Sequence, residues 1–438
     1  MMLEVPGDDY SVSSVSAIII AMLVRVKKYR YFLIVIAVIV IVRCLVLSVS
    51  PPGFYMDEGA SQANVSSFID RQTSADGQPW PLFASNGGGG YTTPTYLYPL
   101  ATWSAIFGDG RLAIRAFSEF VTILAVAVLT IALRYWLGTT LALIGAIIGL
   151  ALPWGWLQGS VAWDPVLVPL FVTTGFLSFT VLLFDKRPRI KRASLVTLPI
   201  SLLALAYVYP PCRVTAPLLF FGAYILLHSK AKITSRQITI SCLGSTIIAV
   251  PLLLFMVGSL YRTQELMVFH DTSILSGLRQ LIVNFGGLLN PVFLFIQGDH
   301  NLRHSTGQQG MLGLAAILPI ACLIIFIVGR RTTLSLKSIM TRPKQLLVLV
   351  TVLAITAGLL GSALTNEGQP HSLRATAAWP FFVILITLGW SIIKDARSRW
   401  LAYVASAVLI AGTASYVVDL AVYYPARAAS AFDATQHY

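Results

Sequence analysis

The sequence predicts an all-α polytopic membrane protein of about eleven transmembrane helices, and three observations carry that expectation. Of its 438 residues 56% are hydrophobic and only 11% are charged, which lies outside the range of ordinary soluble domains. The apolar residues fall in runs of roughly 17–25, long enough to cross a bilayer core as helices. The net charge of +13 sits in short basic clusters between those runs. Such clusters mark cytoplasmic membrane loops rather than a nucleic-acid-binding face, so the bilayer is the expected partner and no nucleic acid is expected.

In chain order the runs lie near 31–49, 112–135, 137–157, 165–184, 195–209, 214–227, 238–260, 310–328, 345–364, 375–393 and 400–418. Arg25, Lys27, Lys28 and Arg30 precede the first run, which places the N-terminal segment 1–30 in the cytoplasm. With eleven crossings, the clusters near 186–192, 230–236, 330–344 and 394–399 then fall on the same side, and all nine lysines with them. The expected setting is an integral membrane protein of a bacterial inner membrane, with its C-terminus outside. Residues 15–24 are apolar but too short to span, and their basic cluster follows them. They read as an interfacial helix or as the start of a longer first crossing, not as a cleaved signal peptide. Cys44, Cys242 and Cys322 lie in predicted helices and Cys212 near the outer surface, so no disulfide framework is implied.

Residues 1–438 form one membrane-embedded domain in this reading, with two long outward connections at 50–110 and 261–309. Long connections in a compact protein are usually functional. The first opens with Pro51-Pro52-Gly53, which ends the first helix sharply. It also contains an apolar stretch, 96–107, too short to cross and expected as an interfacial helix. No internal repeat is visible.

The chemistry-bearing residues collect outside. Asp57 and Glu58 stand just beyond the first helix, where a carboxylate among aromatic side chains can take a proton from an acceptor hydroxyl. A solvated helix cap is the plain alternative. Asp164, in Trp163-Asp164-Pro165, opens the fourth helix on the same side. Helix capping accounts for it alone, and a second acid facing one cavity accounts for it beside the first-loop acids.

Two strings, His300-Asn301-Leu302-Arg303 and His371-Ser372-Leu373-Arg374, repeat the pattern His-x-Leu-Arg shortly before helices. On a helical turn each would present a His and an Arg on one side, near free backbone N–H groups, as a phosphate site requires. His300 and His304, with Asp299 adjacent, have the spacing of metal ligands, but lack a fourth ligand. The expectation is therefore no metal and no cofactor. Arg111, Arg115 and Glu119 follow one another at single-turn intervals. Arg115 and Glu119 are expected to satisfy each other, which leaves Arg111 freer. Arg43, inside the first crossing, reads as a snorkelling side chain or a functional one. Asn86-Gly87-Gly88-Gly89-Gly90 lacks the ending of a phosphate loop and reads as loop, and Asn64-Val65-Ser66 is a formal glycosylation sequon.

An ordered series of short strings gives the chain a wider resemblance. It runs from Pro52-Gly53-Phe54-Tyr55-Met56-Asp57-Glu58-Gly59 through Thr93-Pro94-Thr95-Tyr96-Leu97-Tyr98-Pro99 and Phe107-Gly108-Asp109-Gly110-Arg111-Leu112-Ala113-Ile114-Arg115 to Leu152-Pro153-Trp154. It continues with Ala206-Tyr207-Val208-Tyr209-Pro210, then His371-Ser372-Leu373-Arg374 and Trp379-Pro380. In this series the chain resembles the membrane-embedded C superfamily of glycosyltransferases, family 39-like, among the bacterial relatives of protein O-mannosyltransferases and of the lipid A aminoarabinose transferase.

The resemblance implies inverting transfer of a sugar from a polyprenyl-phosphate donor to an extracytoplasmic acceptor. It carries the catalytic role to Asp57, as base, and Glu58. The family often has Ser-Arg where this chain has Gly159-Ser160-Val161-Ala162-Trp163-Asp164, so Asp164 inherits less. The leaving lipid phosphate calls for cations, and Arg374 with His371, Arg303 and Arg111 are the candidates. The competing readings are a lipid-linked-saccharide transporter or flippase, and an oligosaccharide polymerase or ligase. A transporter would place ionisable groups near the bilayer midplane and often show inverted repeats.

Overall fold

In the computed structural model, residues 12–86, 90–258, 267–270, 272–329, 340–396 and 399–433 are described, with side chains from residue 27 onward. Glycines 87–89, most of the 330–344 basic cluster and the first eleven residues lie outside them. The fold is 77% helical. The described sheet is a single two-residue hairpin, Ala84–Ser85 with Tyr91–Thr92.

Ten helices are long and apolar enough to cross a membrane, or eleven if one bent pair is a single span. The first helix, α1, runs unbroken over Val12–Val46, so the apolar stretch 15–24 belongs to a long first helix. Helices α2 (Met56–Arg71) and α3 (Pro94–Phe107) form the first connection, α3 covering the apolar stretch read as too short to span. Then follow α4 (Arg111–Leu137), α5 (Thr139–Ala151) and α6 (Pro153–Gly159). The expected third crossing is these last two, bent by 57°. Pro153 opens the second piece because a proline has no N–H to continue the first.

Next come α7 (Leu167–Phe184), α8 (Pro188–Val208), α9 (Cys212–Ser229) and α10 (Ser235–Gly258). After the connection containing α11 (Ile274–Leu288) stand α12 (Ile317–Gly329), α13 (Pro343–Ala363), α14 (Trp379–Asp395) and α15 (Arg399–Val418). The short helix α16 (Tyr424–Ala428) and a single helical turn, Ser430–Phe432, end the described chain.

The second long connection is more structured than the sequence reading allowed, since Ile274–Ile296 is apolar and long enough to span. Its contacts fasten it to the end of α13 and the turn that follows. Val268 N donates to Leu364 O at 3.0 Å, and Asn284 Nδ2 donates to the carbonyls of Ala363 (3.0 Å) and Thr365 (2.8 Å). Gly277, Asn284 and Leu288 are buried, while Ile274, Leu275, Leu278, Ile282 and Val283 are exposed, so one face lies on the protein and the other is apolar and open.

Helices α4, α7 and α14 form the centre, and α1, α10 and α15 expose apolar side chains around it. Close packing rests on small residues: a Cβ on Gly389 would come within 2.1 Å of Pro319 O, and one on Gly361 within 2.3 Å of Pro211 O.

The expected Arg115–Glu119 ladder does not form. Glu119 accepts from Arg43, by Nε and by Nη2 at 2.9 Å, while Arg43 also donates to Leu150 O (3.1 Å) and Gly155 O (2.8 Å) and lies over the Trp156 ring. Arg43 is 2% exposed and does not snorkel. A guanidinium in an apolar bundle is tolerable when its donors are satisfied, and this one ties α1 to α4 and to the α5–α6 bend. E119Q is therefore expected to lower stability by about 3–5 kcal/mol, and the R43M/E119L double variant to recover most of it, measured by thermal melting in detergent.

Candidate active site

The turn after α1 is built to present one acid and bury the next. Gly53 has φ +61°, and a Cβ there would meet Phe432 O at 2.5 Å, so only glycine fits where the C-terminal segment crosses the turn. Phe54 N donates to Phe432 O at 3.0 Å. Helix α2 then starts with Tyr55 as N-cap, its N–H donating to Glu58 Oε2 at 3.1 Å.

Glu58 is fully buried and fully used. Arg115 grips it with Nε to Oε1 at 2.8 Å and Nη2 to Oε2 at 2.7 Å, and Ala162 N donates to Oε1 at 3.0 Å. Arg115 spends its remaining donors on Pro51 O (2.7 Å) and Gly53 O (3.1 Å). A carboxylate so satisfied holds the turn in place and has no lone pair ready for an incoming proton. Arg111, the third cationic candidate, is exposed and donates to Gly53 O at 3.1 Å, bracing the same turn.

Asp57 points elsewhere. It is half-buried and, among the described residues, accepts no hydrogen bond. Burial pushes its carboxyl above the ordinary range, the neighbouring Glu58 adds to the rise, and the charges of Arg303 and His304 oppose it. Asp164, in the first turn leading into α7, lies within electrostatic range of Asp57, and Arg213, Tyr96 and Tyr209 lie within range of Asp164. The two acids seen separately in the sequence are thus electrostatic neighbours.

The cations come from two connections and the start of α9. Arg303 donates to Tyr55 Oη and to Asn301 Oδ1 (3.2 Å), with its guanidinium 4.6 Å from the Tyr55 ring centre. Arg374 donates to Thr365 Oγ1 (2.9 Å) and to Glu367 Oε2 (2.8 Å), and its charge also reaches Tyr209. Glu367 is exposed, so this ion pair is of the weak kind that an incoming anion can replace. Arg213, at the start of α9, went unnoticed in the sequence. Its Nε is buried with no hydrogen-bond partner among the described residues. The available signal was an arginine at a helix end with no acid three or four residues away.

The His-x-Leu-Arg strings do not act as equivalents. Residues 299–304 form turns rather than a helix, with Asn301 Oδ1 accepting from Arg303 N at 3.0 Å, so His300 is exposed and separated from its expected partner. His304 and His371 come together instead, their rings 4.4 Å apart, beside Asp299. Asp299 accepts from Ser372 N (2.7 Å) and Asn301 N (2.9 Å) and lies 3.2 Å from His304 Nδ1. Burial pushes Asp299 up, but the His304 contact and these N–H donors outweigh it and hold the carboxyl below its ordinary range. His371 is held well below the usual imidazole range by burial and by the charges of His304 and Arg374. The sequon Asn64 is buried, its side chain bonded to Ser85 O and Ala75 N.

No family model and no curated protein matches the chain in sequence. Its architecture is shared with ArnT from Cupriavidus metallidurans bound to undecaprenyl phosphate. That match has TM-score 0.51 at 12% identity and covers 83% of this chain and 60% of that one. It is also shared with the archaeal oligosaccharyltransferase AglB from Archaeoglobus fulgidus in complex with an inhibitory peptide and a dolichol-phosphate. There the TM-score is 0.51 at 13% identity, covering 93% of this chain and 56% of that one. The chain shares the fold of these two structures. The chain spans about 60% of the length of these structures or less.

The different duties of the two neighbouring acids give a direct expectation. E58Q strands the buried Arg115 charge and should cost about 3–5 kcal/mol. D57N removes a carboxylate whose raised pKa means that its charged form opposes folding as pH rises through that range, so its melting temperature at neutral pH should stay level or rise slightly. Thermal melts of the two purified variants at pH 7 check this; a loss in D57N equal to that in E58Q would contradict the assignment.

Proposed function

We propose that this protein transfers a sugar from a polyprenyl-phosphate carrier to an acceptor on the extracytoplasmic side, with inversion at the anomeric carbon and Asp57 as the base. The observation that carries this reading is the state of Asp57: half-buried, free of hydrogen bonds among the described residues, and within electrostatic range of both Asp164 and Arg303. ArnT bound to undecaprenyl phosphate and AglB with a dolichol-phosphate, which share the fold, support a lipid-phosphate donor.

In the proposed step the acceptor hydroxyl gives its proton to Asp57 while its oxygen bonds to the anomeric carbon. The bond from that carbon to the phosphate oxygen breaks, and the polyprenyl phosphate leaves with the electron pair. An anionic phosphate needs charge stabilisation to leave more than it needs a proton, which suits guanidinium groups. Arg303 and Arg374 supply them, with Arg213 as the addition from the fold, and Asp164 helps orient the acceptor. Among α7, α8, α9 and α13 an apolar groove lined by Phe176, Leu202, Leu219 and Ala354 offers room for the isoprenoid chain within the bundle. The collection of acids at one end of the helices, with no repeat, favours a transferase over a transporter.

D57N is expected to reduce transfer by about 10²–10⁴-fold, with donor binding retained, in an assay of the purified protein with a polyprenyl-phosphate sugar. Near-native turnover would move the base to Asp164. The rate should fall as pH drops through the folded pKa of Asp57, so its acid limb should lie above the usual carboxylate value of about 3.9. R303Q removes a charge that holds this pKa down, and should move the limb further up.

For Arg374, Ala should weaken equilibrium binding of the polyprenyl phosphate more than Lys does, because Lys keeps the charge and loses the two-point grip. Unaltered affinity in folded R374A would remove it from the phosphate site.

A further inference from the structure

Asp299, His304 and His371 are all buried, and one ligand atom from each lies within 4.8 Å of the others. From this geometry we infer a divalent metal site of the zinc class that clips the connection before α12 to the connection before α14. The inference is independent of the proposed transfer.

Two imidazoles and a carboxylate are a ligand set that suits zinc, and one poor in oxygen for calcium or magnesium. Tetrahedral zinc with bonds of about 2.0–2.1 Å holds its ligand atoms about 3.3 Å apart. His304 Nδ1 and Asp299 Oδ2 already stand 3.2 Å apart, long for a charge-assisted hydrogen bond and equal to one edge of such a tetrahedron. The Asp299 carboxylate is aimed by Ser372 N at 2.7 Å and Asn301 N at 2.9 Å, the outer-shell support that metal-binding carboxylates carry. Both imidazoles are buried. Arg303 and Arg374 oppose a cation here, and Asp299 is the charge that offsets them. His300, exposed on the far side of the same turn, takes no part.

The position of the ligands assigns the clip a role. His304 follows Arg303 directly, and Arg374 N stands 3.3 Å from His371 Nδ1, a long contact that gives way when that nitrogen takes the ion. An ion joining His304 to His371 sets the separation of the two guanidiniums.

The test uses the full chain, purified in detergent, stripped with a chelator and titrated with Zn²⁺, with bound metal counted after desalting and thermal melting followed in parallel. One zinc per chain is expected, together with a melting temperature that rises with Zn²⁺. H304Q and H371Q should each weaken binding by at least ~10-fold and abolish the thermal response, because losing a ligand costs more than losing an outer-shell partner. H300Q should bind as the unaltered protein does. If H304Q fails to fold, H371Q and D299N carry the same comparison. Absence of saturable zinc binding, affinity in H304Q and H371Q equal to that of the unaltered protein, or a loss in H300Q matching theirs would each overturn the site. None of these readouts requires a sugar donor, so they leave the Asp57 assignment to its own test.

Discussion

The site end of the molecule depends on one buried ion pair, Glu58 with Arg115. It joins the first turn of α2 to the first turn of α4, and through Ala162 N to the chain that leads into α7. Two buried charges repay their desolvation only when their remaining hydrogen-bonding capacity is also met, and here the carbonyls of Pro51 and Gly53 and the N–H of Tyr55 complete the set. Because that grip is complete at Glu58, its neighbour Asp57 is turned out toward Asp164 and Arg303. Adjacent acids, identical in charge, are thus given opposite duties by which of them the arginine reaches.

A second buried pair works at the next level down the same helix. Arg43 and Glu119 tie α1 to α4, and Arg43 also reaches the carbonyls exposed at the bend between α5 and α6. The two pairs leave Arg115 and Glu119, one turn apart, with partners on different elements. The first loop is thereby held to the membrane helices by charge, while the helices are held to each other by small residues and apolar contact.

Cations gather near the two acids: Arg303 acts on Asp57, Arg213 on Asp164 and Arg374 on the neighbouring Tyr209. They come from two connections and the start of α9, and none is committed to an acid as fully as Arg115 is. This leaves positive charge for an anion beside an acid without hydrogen bonds, the separation that a reaction with a base and an anionic leaving group requires. The pair His304–His371 with Asp299 adds a cluster whose parts are 67 residues apart in sequence.

Much of this was legible in the residues alone. Composition and run length determined an all-helical membrane protein, because backbone groups in a bilayer must be satisfied within helices. The position of Asp57 after the first helix and of Asp164 before α7 pointed to one face, and the strings around them carried the resemblance in fold. Reading along one helix failed wherever partners lay on another: Arg115 and Glu119 fit each other by spacing yet are bonded to Glu58 and Arg43, and Arg213 drew no notice. His300 and His304 fit a metal spacing only if residues 299–304 are helical, and the Asn301 turn makes them otherwise. The apolar stretch in the second connection was read as loop, and the structure makes it a helix long enough to span, fastened by Asn284 to Ala363 and Thr365. Sequence by itself determined which segments are helical and which residue types are costly to bury. Tertiary structure alone decided which charge meets which, because a buried charge is satisfied by whatever donor packing brings within about 3 Å, at any distance along the chain.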